Sequence, residues 1–144
     1  MTFNTKAVAQ YLDTLAGGLS GVSGHQIGVP ESISVKVYAF TTAGGQTIGK
    51  KTTGQVYRDA RFNVTFAYRV SNAEATAETA LMDVLDLFLA AIPADLTLGA
   101  TCEASDVDTS LADSPEYIQR AGVEFREYPV IVTARQYDSF TAAH

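Results

Sequence analysis

The chain has 144 residues, enough for one domain with an apolar core that needs no disulfide or metal to hold it. Hydrophobic residues at 47% exclude a disordered chain, and charged residues at 18% fall below the roughly 25% of a typical soluble domain, leaving less surface defended against association. A net charge of −6 argues against a nucleic-acid binder held by phosphate contacts.

Cys102 is the single cysteine, so an intrachain disulfide is excluded and the thiol suits a reducing cytoplasm. Residues Met1 to Lys6 have neither the basic start nor the apolar stretch of a signal peptide. No apolar run approaches the roughly 20 residues of a membrane-spanning helix. These features predict a soluble, intracellular domain with no membrane partner.

In chain order, Asn4 is placed to cap a helix, with Phe3 before it packing on Val8 as a hydrophobic staple. Val8, Tyr11, Leu12 and Leu15 share one helical face, and Gly17-Gly18 stops the helix. Residues 17–30 hold five glycines (Gly17, Gly18, Gly21, Gly24, Gly28) and predict a flexible loop. Ile33, Val35, Val37 and Ala39 alternate with Ser34, Lys36 and Tyr38, as in a strand with one buried face. Residues 41–54 have no apolar periodicity and four glycines, which predicts a mobile hairpin tip. Between Gln55 and Val70 the alternation is clearest: Ala60, Phe62, Val64, Phe66, Tyr68 and Val70 against Arg61, Asn63, Thr65, Ala67 and Arg69.

Ser71-Asn72-Ala73-Glu74 reads as a capping box. The helix it opens carries Ala77, Leu81, Val84, Leu85, Phe88 and Ile92 as its apolar stripe and is expected to stop at Pro93. Leu96, Leu98, Ala100 and Cys102 alternate and suggest a strand; residues 105–116 suggest a flexible loop. A last long strand is expected from Ile118 to Arg135, with an edge position or a bulge at Pro129, followed by a frayed tail from Asp138 to His144. This order predicts a single α+β domain over residues 1–144. Its antiparallel or mixed β-sheet is packed by one principal helix, with an N-terminal helix beside it.

Charge is segregated along the chain. Between Ser71 and Gln119 lie ten carboxylates and no Lys or Arg, while the basic residues flank that segment. A solvated acidic face accounts for this; so does a surface that orients partners.

No motif completes a catalytic or ligand site. Gly44-Gly45-Gln46-Thr47-Ile48-Gly49-Lys50-Lys51 mimics a phosphate-binding loop, but Lys51 stands where a Mg²⁺-holding hydroxyl belongs, and a strand follows where a helix should. From Asp106-Val107-Asp108, a calcium loop would need ligands and a glycine where Ser110, Leu111 and Tyr117 stand. Zinc would need three or four converging ligands, and the histidines are only His25 and His144. The expectation is a non-enzyme with no catalytic, metal or cofactor residues.

The long strand VYRDARFNVTFAYRV running into the helix SNAEATAETALMDVLDLFLAAI, then short strands, an acidic loop and the final strand VEFREYPVIVTARQ, has a recognisable shape. Over residues 55–135 it resembles the tail-terminator (minor capsid, tail-completion) proteins of long-tailed phages and gene-transfer particles. The resemblance implies a virion structural protein assembled in the host cytoplasm. It implies a homo-oligomer, a hexameric ring that caps the tail-tube protein, ends its polymerisation and joins the tail to a neck or head-completion protein. DNA would be passing cargo in the lumen. A neck or head-closure connector is the alternative within the structural class, and a small-ligand binding domain the alternative outside it.

Such a ring needs two different patches that meet between neighbours. Arg58, Arg61 and Arg69, expected together on the polar face of the long strand, are the candidate basic half; Glu103, Asp106 and Asp108 are the candidate acidic half. Gly44, Gly45, Lys50 and Lys51 form the candidate loop for docking on tube or neck.

Overall fold

The computed structural model describes residues 4–33, 36–52, 55–71, 74–108, 116–120 and 122–139. Helix α1 (Thr5–Gly17) is followed by β1 (Gly24–Ile27), β2 (Tyr38–Thr52), β3 (Gln55–Arg69), helix α2 (Glu74–Ala94), β4 (Ala104–Asp108), β5 (Glu116–Arg120) and β6 (Val123–Ser139). The six strands form one mixed sheet in the order β1-β2-β3-β6-β4, with β5 also paired to β6. Only β1 and β2 run parallel; the other pairings are antiparallel. The architecture is the α+β fold expected, a sheet covered by α1 and the long α2.

Both helices lie on the same face. Alternation in β3 turns Ala60, Phe62, Val64, Phe66 and Tyr68 toward them, and all five are buried with Val8 and Leu12 of α1 and Leu81, Val84, Phe88 and Ile92 of α2. Phe66 meets Phe88 edge-on at 5.2 Å between ring centroids. Each fully buried side chain of this size contributes about 1.5–3 kcal/mol, so these residues dominate the stability. Asn4 caps α1, its side chain accepting from the Ala7 amide at 3.1 Å. Phe3, and Asn72 and Ala73 of the expected capping box, lie outside the described residues.

Several local expectations are overturned. Residues 41–52 are not a mobile tip: they belong to β2, whose pairing with β3 runs from Tyr38↔Ala67 to Thr52↔Gln55; Thr53 and Gly54, the rest of the expected tip, lie outside the described residues. Backbone pairing does not require apolar periodicity, which is why composition misled here. Residues 17–30 are not a featureless loop either. They contain β1, and Gly17 is a packing device: a Cβ there would lie 2.1 Å from the His25 ring.

The strand expected at Leu96–Cys102 is a turn. Leu98, Gly99 and Ala100 all have positive φ (49°, 66° and 64°), and Asp95 holds the turn by accepting from the Thr97 hydroxyl at 2.8 Å and the Gly99 amide at 2.9 Å. Left-handed backbone costs about 1–2 kcal/mol per non-glycine residue. Its return is the placement of Leu98, fully buried against the helix-side core. Hydrogen bonds to Thr97 and Gly99, with Tyr11 adding a further one, hold the Asp95 carboxyl below its ordinary range. Helix α2 ends at Ala94, one residue past Pro93, so the expected stop is displaced by a single position.

The final long strand is two elements. β5 and β4 both pair with the same flank of β6, β5 opposite residues 123–127 and β4 opposite residues 131–135, so residues 105–108 are strand and not loop. Residues 109–115 lie outside the described residues, as do 140–144; Asp138 and Ser139, expected in a frayed tail, close β6. Pro129 sits between the two paired stretches. The Arg135 carbonyl accepts from the Glu103 amide on the β4 side, and Glu124 accepts from Val70 on the β3 side, so odd-numbered residues of β6 turn toward β4 and β5. The donor that Pro129 lacks therefore points into the gap, and the β3–β6 register runs from Gln55↔Ser139 to Arg69↔Phe125 without a bulge. β6 is therefore an interior strand and not an edge, and Pro129 is unpaired on one flank only among the described residues.

Candidate functional site

The sheet face away from the helices divides into two halves. Near β1, the segment from Pro30 to Ile33 folds over it, and Ile33, Phe40, Ala67 and Phe125 form a second, smaller buried cluster. Toward the free ends of β2, β3 and β6 nothing among the described residues covers the face. There, a shallow groove of about 380 Å³ is bounded by Asp59, Ala104, Asp106, Thr133, Arg135 and Tyr137.

The centre of this open half is Arg135. Its Nε and Nη2 donate to the two carboxylate oxygens of Asp59 at 2.6 and 2.7 Å, a bidentate pair between cross-strand neighbours. Its guanidinium carbon lies 4.2 Å from the Tyr57 ring centroid and 5.9 Å from that of Tyr137. The hydrogen bond to Asp59, then that to Tyr137, holds the guanidinium even more firmly protonated than usual. Tyr57 also packs over Gly49, where a Cβ would lie 2.3 Å from its ring. No sequence signal singled out this cluster: Asp59 and Arg135 are 76 residues apart and meet only through β3–β6 register.

The candidate basic residues do not share one face. Arg61 and Arg69 are exposed and alternate with the buried Phe62, Val64, Phe66 and Tyr68, so they lie on the side away from the helices. Arg58 is on the helix side, where it donates to Gln46 at 2.7 Å and to Thr5 of α1 at 3.1 Å. The sequence error has a simple cause: Arg58 and Arg61 differ by three positions, an odd number, and strand alternation separates them. Arg61 is instead grouped with Gly44 and Gly45. These form a β-bulge at the register shift between Ala43 and Gln46, and a Cβ on Gly44 would lie 3.1 Å from the Arg61 carbonyl oxygen.

Among the candidate acidic residues, Asp106 pairs with Thr133, which pairs with Arg61, so Asp106 and Arg61 stand in one cross-strand row. Glu103 is exposed and accepts from the Gln136 amide at 3.3 Å. Asp108 pairs with Ile131 at the end of β4. Lys50 and Lys51 belong to β2 and not to a loop, Lys50 pairing with Val56.

The carboxylate-only segment is partly neutralised in three dimensions. Glu78 of α2 takes a hydrogen bond from Arg126 of β6 at 3.0 Å and another from the buried Tyr68 at 2.6 Å. The Arg126 bond, opposed by desolvation and helped by Tyr68, holds the Glu78 carboxyl below its ordinary range. Burial and the bond to Glu78 push the Tyr68 hydroxyl well up. Arg126 also stacks over Tyr117 at 4.8 Å, and Tyr117 donates to Glu74. This network ties α2 to β5 and β6.

His25 lies in β1, its Nδ1 2.9 Å from Asp13 of α1. Cys102 is buried under the turn after α2, and burial pushes its thiol up to about 11. Among the described residues, no group of three or more His, Cys, Asp and Glu side chains is placed to hold a metal, and no helix is long and apolar enough to cross a membrane. No protein-family model matches the chain, and no curated protein matches it.

Proposed function

We propose that this chain is a non-catalytic virion protein. Six copies would form a ring that caps the tail tube, ends its polymerisation and joins the tail to the neck, with DNA passing through the lumen. The reading rests on the family resemblance of residues 55–135 described above. The observation that best supports it is the one-sided sheet, with both helices on one face and an open half-face of Asp59, Arg61, Asp106 and Arg135 on the other. A surface with carboxylates and guanidinium groups side by side suits a polar, heterologous contact between identical neighbours.

The predominantly acidic chain also suits a conduit, because carboxylates repel phosphate and do not grip it. The deciding measurement is native mass, taken for the protein alone and mixed with tail tubes. A hexamer in either condition supports the ring, and a monomer in both removes the proposal. The double reversal Arg61→Glu with Arg69→Glu should lower the assembled fraction at least tenfold without changing the circular dichroism. An unchanged light-scattering profile would exclude that face from the interface.

A further inference from the structure

Among the described residues, β2 and β4 flank the sheet beyond the end of β1, and both are uncovered where Thr42–Thr47 runs level with Ala104–Asp108. β1 pairs with β2 only from Tyr38 to Thr41, leaving Thr42–Thr52 with no partner strand on the outer side among the described residues. Among the described residues, β4 pairs only with β6. The cross-strand rows show that these stretches are level: Gln46, Ala60, Ala134 and Ser105 form one row, and Ala43, Phe62, Val132 and Val107 another.

The backbone directions can be assigned. Odd-numbered residues of β6 turn toward β4, so even-numbered ones turn toward β3 and pair with even-numbered residues there. Odd-numbered residues of β3 therefore turn toward β2, where Asp59 and Tyr57 meet Thr47 and Gly49. The amides and carbonyls of Gln46, Ile48 and Lys50 consequently point outward from the β2 flank. On β4, where Ala104, Asp106 and Asp108 meet odd-numbered β6 partners, those of Ser105 and Val107 point outward. Outward backbone groups on an uncovered strand are a template for another strand.

From these edges we infer that the uncovered part of β2 in one copy adds as a strand to β4 of the next copy, making one sheet continuous between subunits. The occupant is a second copy of this chain for two reasons. The edges differ in charge where they run level: Lys50 and Lys51 follow Ile48 on β2, and Ile48 shares a row through Arg58 with Gln136, which donates to Glu103 just before β4. Their directions also fit, since three successive antiparallel pairings from β2 through β3 and β6 make β4 antiparallel to β2. Rotation about an axis along the strands preserves strand direction, so it brings β2 of one copy antiparallel to β4 of its neighbour, a heterologous contact that closes into a ring. Ile48, 74% exposed beside this edge, would then be covered. The inference rests on the proposed ring and supplies its joint.

Two variants test it by native mass and circular dichroism. Ile48→Pro removes one outward amide and no bond within the sheet, and should shift the particle to monomer at concentrations where the parent assembles, with its fold intact. Lys50→Glu with Lys51→Glu should do the same, and so should Glu103→Lys on the facing edge. Mixing the two charge-reversed proteins should restore the parent mass, because each reversed edge then faces a reversed partner. Full assembly by both Ile48→Pro and the lysine-reversed protein would overturn the edge contact while leaving the ring standing. A parent that stays monomeric even on tail tubes would overturn both.

Discussion

The two faces of the sheet are made by the same strands and differ in almost every other respect. On the helix side, β3 contributes Ala60, Phe62, Val64, Phe66 and Tyr68, all fully or almost fully removed from water. On the other side the same strand offers Asp59, Arg61, Asn63 and Arg69, and only its Thr65 and Ala67 are buried, near the small second cluster. The first face carries stability; the second is tuned for contact, with polar groups satisfied by one another and left within reach of solvent. A protein built this way tolerates change on one side of a strand and not on the other.

That contrast can be broken most severely at Phe88. Phe88→Ala empties the space against Phe66 and should destabilise the fold by about 3–5 kcal/mol, read as a lower urea midpoint with little change in slope. Arg126→Ala, also on the helix side, leaves Glu78 and Tyr68 without their cation and should cost about 1–2 kcal/mol. It should also alter the acid limb of stability. The Glu78 carboxyl is depressed in the folded state, so its contribution is complete above the ordinary glutamate value of 4.5 and is lost as pH falls through the lower folded value. The decline below about pH 4.5 should therefore be shallower in Arg126→Ala than in the parent, measured by denaturation at successive pH values.

Ala100→Gly should act in the opposite direction, stabilising by up to about 1 kcal/mol, since φ of 64° is strained for alanine and free for glycine. A thermal midpoint raised by a few degrees would confirm that the turn seats Leu98 at a backbone cost. The smallest effect belongs to the open face. Replacing both Asp59 and Arg135 by Thr should change stability by less than about 1 kcal/mol, because a pair at the surface gains little over its hydrated separate groups. A loss as large as that of Phe88→Ala would show that the two faces are not energetically distinct.

What was legible in the sequence follows from periodicity. The α1 cap at Asn4, the α2 stripe from Leu81 to Ile92 and the alternation of β3 each depend on residues within a few positions of one another, and each is found where the spacing places it. The same rule misfired at Leu96–Cys102, where four alternating apolar residues imitate a strand although three consecutive left-handed residues make a turn. Within the candidate site, Arg61 and Arg69 lie on the expected face, but Arg58 does not, and Lys50 and Lys51 are strand residues. Asp59–Arg135 and Glu78–Arg126 were invisible because register brings their partners together across 76 and 48 residues.

The sequence by itself determined the α+β class, the inward face of each long element and the absence of an intrachain disulfide, because these depend on local pattern and composition. Tertiary structure decided how far β2 extends, which flank of β6 receives β4 and β5, which carboxylate meets which cation, and which strand edges stay open. Those outcomes depend on backbone hydrogen bonding and register between distant segments, and neither leaves a periodic trace in side-chain identity.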